Sequence, residues 1–148
     1  MNASSFAVRP VQWLESRQQL RAVRRSVFIE EQNVPEELEW DAADEHAHHV
    51  LATDGNDTPI GTGRLKADCH IGRMAVLRAW RGRGVGGTIV KALLSVAGKK
   101  GCGIVRLHAQ THAIGFYARF GFKVVGGEFD EAGIPHRLME IKLPPALP

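Results

Sequence analysis

A glycine-rich segment in the middle of the chain has the residue types of a phosphate-binding loop. It runs from Arg81 to Gly87 through Gly82, Arg83, Gly84, Val85 and Gly86, and a helical pattern follows it directly. The first amides of a helix have no partners inside the helix, and the helix dipole favours an anion there. Glycines let the backbone approach the anion closely, and arginines add charge-assisted hydrogen bonds. The segment therefore predicts an anion site.

Three kinds of phosphate loop can be compared with this segment. A Walker A loop needs Lys followed by Ser or Thr after its last glycine, whereas Thr and Ile follow here, so that class is excluded. Gly82, Gly84 and Gly87 have the dinucleotide spacing, but no acidic residue lies between positions 88 and 127 to bind a ribose. An NADP-type site that uses Arg106 stays open. The third kind is a loop for the pyrophosphate of coenzyme A.

Charge is distributed unevenly along the chain. Residues 30–45 contain eight acidic residues and no Lys or Arg, whereas residues 69–127 contain ten basic residues and no Asp or Glu. The basic half favours an anionic ligand. It lacks the interleaved aromatic residues of a nucleic-acid surface, so we expect no nucleic-acid partner. The acidic run is interpreted either as a solvated face or as a region that attracts a cation.

Sequence patterns predict four helices, three of them from the periodicity of apolar residues. Leu20, Val23 and Val27 recur at helical spacing over residues 16–28, with Ser16 as the N-cap. The other helices are predicted over residues 36–40, over the apolar stripe 89–97 that Gly98 and Gly101 bring to an end, and over residues 113–120.

Strand patterns fill the rest of the chain. They cover residues 6–11, 49–53, 59–66, 70–77, 104–109, 123–129 and 137–143. Strands and helices in this order predict an α/β fold with one mixed sheet flanked by helices. With 148 residues the chain has the size of a single domain, 1–148, and we expect the tail 144–148 to be frayed.

Composition favours a cytoplasmic globular protein. No apolar run approaches the ~20 residues that span a bilayer, and the N-terminus has no signal-peptide pattern, so we expect no membrane partner. Cys69 and Cys102 are expected to be free, buried thiols. His46, His48 and His49 lack the spacing and fourth ligand of a metal site, so no metal is predicted.

Two motifs together resemble the Gcn5-related N-acetyltransferase (GNAT) superfamily. Arg81, Gly84 and Gly86 match its acyl-CoA loop Q/R-x-x-G-x-G/A, and residues 113–122 resemble its A-x-x-F-Y-x-x-x-G-F segment. The segments 27–35, 39–44, 60–64 and 132–136 are similar to the small bacterial ElaA/YjcF-like branch. The resemblance covers nearly the whole chain and implies a partly splayed mixed sheet and an acetyl-CoA-dependent acetyltransferase, for which a homodimer stays open.

The resemblance also implies roles for individual residues. Met74, Ala75 and Val76 correspond to the strand that pairs with the pantetheine arm, and the Val76 amide corresponds to the oxyanion donor. The loop from Arg81 to Gly87 corresponds to the pyrophosphate site. Phe116 and Tyr117 correspond to residues that line the coenzyme, and the Tyr117 hydroxyl resembles the group that protonates the leaving thiolate.

Acetyl transfer to an amine requires a base, because an amine with a pKa near 10 is mostly protonated at neutral pH. His136 is the first candidate, since a similar Pro-His-x-Leu-Met segment carries the base in a related glyphosate-acetylating branch. Glu31, after the first helix, and His108, at a strand end, are the alternatives; each has a purely structural interpretation as well.

The resulting hypothesis is acetyl transfer from acetyl-CoA to a primary amine of a small molecule or peptide, and the acidic run favours a cationic amine. The alternative is an acyl-CoA-binding sensor or interaction module without catalysis. A nucleotide-dependent oxidoreductase remains a third hypothesis because of the glycine spacing alone.

Overall fold

A computed structural model describes residues 5–145 of the chain. Its centre is one seven-stranded sheet in the order β1-β2-β3-β4-β5-β7-β6. The strands are β1 Phe6–Val11, β2 His48–Asp54, β3 Pro59–Leu65, β4 His70–Val76, β5 Ile104–Gln110, β6 Lys123–Glu131 and β7 Ile134–Lys142. All neighbours are antiparallel except β4 and β5, which are parallel, so the predicted mixed α/β sheet is confirmed.

The sheet opens between its two parallel strands. Among the described residues, β4 and β5 pair only through His70 with Arg106 and Ile71 with Leu107. Past this point β4 changes register against β3, and Arg73 has a φ of +50°. Such an irregularity bends a strand away from its neighbour. The partly splayed sheet that the family resemblance implies is therefore present, and the opening lies at the carboxyl ends of β4 and β5.

The first helix, α1, covers Trp13–Arg24 and continues as a π-helical stretch, Arg25–Glu31. Leu20, Val23 and Val27 are buried, as their spacing predicted. The predicted N-cap at Ser16 is wrong, because the Ser16 amide already donates to the Gln12 carbonyl at 3.0 Å. Burial of Trp13 places the start of the helix three residues earlier than the capping preference indicates.

The long helix α3, Val85–Lys100, packs its apolar side on the sheet. Gly63 of β3 permits the close contact, since a Cβ there would lie 2.6 Å from Ile89 and 2.7 Å from Leu93. The expectation that Gly98 stops the helix is wrong. Gly98 lies inside the helix, and Gly101, with a φ of +90°, ends it by adopting the left-handed conformation that glycine tolerates.

Two short helices complete the fold. The first, α2, covers Glu36–Glu39, close to its prediction, and α4 covers Ile114–Ala118. The latter is shorter than the predicted range 113–120, because the amides of Phe120 and Gly121 bond carbonyls three residues back and tighten the last turn. Pro144 and Pro145 lie outside any strand, and the rest of the tail expected to be frayed lies outside the described residues. No helix within 5–145 has the length and apolarity to cross a bilayer.

The prediction of two free thiols is wrong, because Cys69 and Cys102 form a disulfide. Cys69 lies in the turn before β4 and Cys102 precedes β5, with their Cα atoms 6.1 Å apart. This separation is ordinary for a disulfide. Two cysteines 33 residues apart give no hint of pairing in sequence; the parallel neighbours β4 and β5 bring them together. The bond closes the paired end of the splayed strands.

Candidate active site

A cavity of about 490 Å³ lies in the opening between β4 and β5. Its lining comes from β3, β4, β5, α4, the π-helical stretch and the residues that follow it through α2, and the hairpin of β6 and β7. Charged and titratable residues form two different surfaces within it. One includes Arg64 and Arg73 on the β4 side, and the other includes His108, Glu131 and His136 on the β5 side.

The first surface, here called the ion-pair wall, consists of three arginines and three carboxylates: Arg24, Arg64, Arg73, Glu39, Asp41 and Asp44. Arg24, of which 1% of the side chain is exposed, donates to Glu39 and Asp44 at 2.8 Å each. Arg64 donates to Asp41 at 2.8 Å and to Asp44 at 3.0 Å. Arg73 lies 3.2 Å from Glu39 and donates to Asp41 at 3.0 Å. Every carboxylate of the wall therefore contacts two arginines.

This pairing corrects the interpretation of the acidic run at Glu39, Asp41 and Asp44, whereas its other exposed members, Glu30, Glu36, Glu37 and Glu45, do form a solvated face. Glu39 and Asp44 are buried, so this part of the run is not a solvated face, and its charge is balanced by arginines. Burial raises the pKa of the Glu39 carboxyl despite its arginine neighbours. For Asp41, burial is outweighed by the hydrogen bond and charge of Arg64, and its pKa is lowered. Outside the wall, Glu36 pairs with Arg25 on the surface.

The second surface, here called the histidine wall, consists of His108, Glu131 and His136. The His136 side chain is 8% exposed, and its Nδ1 lies 2.7 Å from the Ile134 carbonyl. Since a carbonyl only accepts, Nδ1 must carry the hydrogen, which assigns the lone pair of the neutral ring to Nε2. His108 Nδ1 donates to Glu131 Oε1 at 2.9 Å, and the other oxygen, Oε2, lies 3.6 Å from His136 Nε2.

Tyr117 lines the same cavity from α4. Its side chain is buried and packs edge-on against Phe116 and Phe122. Burial raises the pKa of the Tyr117 hydroxyl to about 12. The phenol therefore keeps its proton at neutral pH, and it can act as a hydrogen-bond donor or a general acid inside the cavity.

Met74, Ala75 and Val76, the predicted pantetheine-binding residues, form the end of β4 that does not pair with β5. Met74 lines the cavity, and Ala75 is buried opposite Thr62 of β3. The Leu77 amide donates to the Ile60 carbonyl of β3 at 2.9 Å. Because successive amides of a strand point to opposite sides, the Val76 amide is directed away from β3, toward the opening.

The glycine loop lies outside this cavity, at the start of α3. Gly82 and Gly84 have φ values of +74° and +87°, which glycine adopts without strain, and nothing lies within 4 Å of a Cβ added to either. Gly84 is the N-cap, and no side chain caps the helix. A Cβ on Gly86 would lie 3.2 Å from the Phe116 ring. Free helix amides and uncovered glycines are what an anion such as a pyrophosphate requires.

Glu31 and Arg81 form an ion pair beside this loop. Both Glu31 oxygens accept hydrogen bonds from Arg81 at 2.7 Å, and Arg81 Nε donates to the Val76 carbonyl at 3.0 Å. The hydrogen bond from Arg81 lowers the pKa of the Glu31 carboxyl. Glu31 is not among the cavity-lining residues. This arrangement disfavours Glu31 as a base and indicates that it orients Arg81, while Arg83 stacks on Trp80.

Glu131 and Gln32 are cavity residues that the sequence analysis missed. Glu131 lies at the end of β6, beside a turn that was recognised only as a turn. Gln110 bonds Gln32 at 3.0 Å across the opening, a contact between residues 78 apart. The only available signal for Glu131 was its position three residues before the Ile-Pro-His segment, which places both at one hairpin.

Among the residues that the structure describes, no group of three or more His, Cys, Asp or Glu side chains could hold a metal ion. His49 is buried, stacks on Trp13 and bonds the Asp44 carbonyl at 2.8 Å. It is a packed core residue behind the ion-pair wall.

Comparison with known proteins is consistent with this geometry. Residues 14–143 match the family model described as an acetyltransferase (GNAT) domain. The uncharacterized N-acetyltransferase YjcF of Bacillus subtilis is 42% identical over 121 residues, covering 79% of this chain and 86% of that protein. Protein ElaA of Escherichia coli is 33% identical over 124 residues, covering 79% and 81%.

Solved structures agree with the sequence relatives. The crystal structure of E. coli ElaA superposes with a TM-score of 0.82 at 28% identity, covering 92% of this chain and 99% of that chain. An acyl-CoA N-acyltransferase from Pseudomonas aeruginosa gives a TM-score of 0.81 at 28% identity, with the same coverage. The predicted resemblance to the ElaA/YjcF-like branch is thus confirmed. The splayed sheet, the glycine loop at the start of α3 and the match over residues 14–143 show that the chain belongs to the GNAT family and is an acyltransferase of a fold that uses acyl-CoA.

Proposed function

We propose that the protein transfers an acetyl group from acetyl-CoA to a primary amine of a small molecule or peptide, by direct attack with general-base assistance. The observation that carries this proposal is that His136 and Tyr117 line one cavity where β4 and β5 separate. A base with a free lone pair and a proton-bearing phenol are the two groups that the reaction needs.

His136 is the proposed base. Its Nδ1–H is committed to the Ile134 carbonyl, so Nε2 is the nitrogen that accepts a proton from the amine. Imidazole suits this role because its ordinary pKa is close to neutral pH. Glu31 is replaced as a candidate because its carboxylate is already bonded to Arg81 and lies outside the cavity.

The donor is proposed to bind along β4 and at the glycine loop. The amides at the start of α3, from Val85 to Gly87, bind the pyrophosphate, and the open side of Met74, Ala75 and Val76 binds the pantetheine arm. The Val76 amide stabilises the oxyanion, a contribution of typically ~3 kcal/mol. Tyr117 gives its proton to the departing thiolate. Because a thiol has a pKa near 8.5, this step is the easier of the two proton transfers.

The acidic run does not favour a cationic acceptor at the cavity. The preference for a cationic amine rested on the acidic run, and arginines balance that run where it reaches the cavity. The proposal is therefore restricted to a primary amine.

Thiol release from acetyl-CoA with a panel of amines tests the proposal. The assay has little background because the two cysteines of the chain are disulfide-bonded. We expect turnover with at least one amine and a loss of ~100-fold or more in kcat for His136→Ala. His48→Ala, an exposed histidine on β2, is the matched control and should keep full activity.

A thermal-shift titration separates the alternatives. Acetyl-CoA at 100 times its Kd should stabilise the fold by about 2.7 kcal/mol. Stabilisation without turnover of any amine would support a non-catalytic acyl-CoA sensor. No stabilisation by acetyl-CoA or CoA would contradict the proposal. A cytoplasmic location and a homodimer stay predictions, which cell fractionation and analytical ultracentrifugation check.

A further inference from the structure

The two nitrogens of His136 are oriented by the two ends of a single hairpin turn. The turn joins β6 to β7, and Glu131 and Ile134 face each other across it. The Ile134 carbonyl accepts from Nδ1, and Glu131 Oε2 faces Nε2 at 3.6 Å. Ala132 and Gly133, both with positive φ, form the tight turn that brings these two groups together. The base is therefore in contact with a carboxylate on its reactive side.

The proposed reaction releases one proton that must go somewhere. A protonated amine and acetyl-CoA give an amide, CoA thiol and one proton, as the C–N bond forms and the C–S bond breaks. His136 becomes an imidazolium when it takes this proton, and its side chain is only 8% exposed. A cation formed in a buried place is costly without a counter-charge. Glu131 is the carboxylate at ion-pair distance, and it is 48% exposed, so it also reaches solvent.

His108 keeps this carboxylate in place. Its Nδ1–H donates to Glu131 Oε1, which leaves Oε2 turned toward His136. The Phe129 ring contacts both histidines, edge-on to His108 and stacked on His136. His108 in turn packs edge-on against His70 of β4. The carboxylate thus has a defined orientation rather than a free rotation at the cavity mouth.

We propose that Glu131 is a positioning residue for acyl transfer, which stabilises the imidazolium of His136 and carries its proton toward solvent, with His108 fixing the carboxylate. This inference rests on the proposed function. Glu131 lies outside the two family motifs recognised in the sequence, and the inference makes it a partner of the base. It also assigns a role to His108 other than that of the base itself.

Kinetics of Glu131→Gln test the inference. The substitution keeps the size of the side chain and removes its charge. We expect kcat to fall about 10- to 100-fold while the KM for acetyl-CoA changes less than about twofold, because the donor binds elsewhere. Glu131→Asp should recover part of the lost kcat. Glu128→Gln, on the exposed side of the same strand, is the matched control and should leave both constants unchanged.

Measuring His136→Ala in the same assay distinguishes failure of the Glu131 inference from failure of the proposed function. A large loss with His136→Ala and a kcat within twofold of the wild type for Glu131→Gln would overturn the role of Glu131 alone. A rise in the acetyl-CoA KM without a loss of kcat in Glu131→Gln would overturn it too. Full activity of His136→Ala would contradict the base assignment, and the Glu131 inference would fall with it.

Discussion

The ion-pair wall and the histidine wall border the same cavity, but they arrange charge in opposite ways. In the ion-pair wall, three arginines meet three carboxylates, and Arg24, Glu39 and Asp44 are buried. In the histidine wall, a half-exposed carboxylate lies between two histidines, one buried and one 41% exposed. Arginine does not lose its proton in proteins, whereas histidine changes charge near neutral pH.

The difference indicates a division of labour between the two sides of the opening. Fixed charges that contact each other in pairs hold α1, α2 and β3 together and give the β4 side a constant shape. The groups proposed to move protons, His136 and Glu131, lie on the β5 side, on the hairpin of β6 and β7. The sheet is splayed so that both can reach one space. Stability and proton transfer should therefore respond to different substitutions.

The largest effect is expected from Arg24→Ala. Removing Arg24 leaves the wall with one more carboxylate than arginine, and a buried charge without its partner typically costs 3–5 kcal/mol. We expect a loss of about that size in the free energy of unfolding, measured by urea denaturation. Arg25→Ala, the next residue, is the matched control: its pair with Glu36 is exposed, and its unfolding midpoint should match the wild type. Equal, small losses for both variants would show that the ion-pair wall is not what stabilises this side.

The disulfide at the joined ends of β4 and β5 should have the next largest effect. Cross-linking residues 33 apart stabilises a fold by roughly 3–4 kcal/mol through the unfolded chain. We expect the double substitution Cys69→Ala, Cys102→Ala to lower the free energy of unfolding by about that amount. Reduction of the wild type should give a similar loss and leave the double variant unaffected. A reducing agent that affects both equally would contradict the prediction.

Tyr117 offers a direct test of burial, since it is the only tyrosine in the chain. Its absorbance at 295 nm should rise with a midpoint near pH 12 in the folded protein and near pH 10 in urea. The native state keeps its proton longer, so the contribution of Tyr117 to stability is complete below pH 10 and is lost as the pH rises through about 12. Two pKa units correspond to on the order of 2–3 kcal/mol. A midpoint near pH 10 in the folded state would show that the phenol is solvated.

The smallest effect is expected on kcat, for the substitution Tyr117→Phe. No described residue forms a hydrogen bond with the Tyr117 hydroxyl, so the fold should tolerate the loss of this oxygen. Because the leaving thiol is easily stabilised, we expect kcat to fall only about tenfold, or ~1.4 kcal/mol in the barrier. The loss should be smaller than that of His136→Ala in the same assay. A larger loss for Tyr117→Phe than for His136→Ala would show that protonation of the thiolate is the harder of the two proton transfers.

Local patterns predicted the elements well and the contacts between them poorly. The strands, the glycine loop and the apolar stripe of α3 are properties of neighbouring residues, and sequence spacing reports such properties directly. The start of α1 was missed because burial of Trp13 outweighs the capping preference of Ser16. Gly98 was taken as a helix stop because spacing alone does not distinguish a glycine inside a helix from one that ends it; only Gly101 adopts the left-handed conformation.

The two walls were beyond sequence reasoning for a physical reason. Arg24 and Arg64 contact carboxylates 15 to 23 positions away, and only the fold determines which charges meet. At Glu39, Asp41 and Asp44 the acidic run therefore gave a misleading impression of free negative charge. Glu131 was missed for the opposite reason, since a single carboxylate in a turn carries no pattern. His136 was found only because a family segment surrounds it.

The Cys69–Cys102 disulfide makes the protein sensitive to the reductants used in its purification and assay. Thiol reductants are routinely added to keep coenzyme A from oxidising, and here they would also act on the enzyme. Two preparations of identical sequence, one stored with dithiothreitol and one without, would contain different covalent species. Any melting temperature or turnover number for this protein should therefore be accompanied by a count of its titratable thiols.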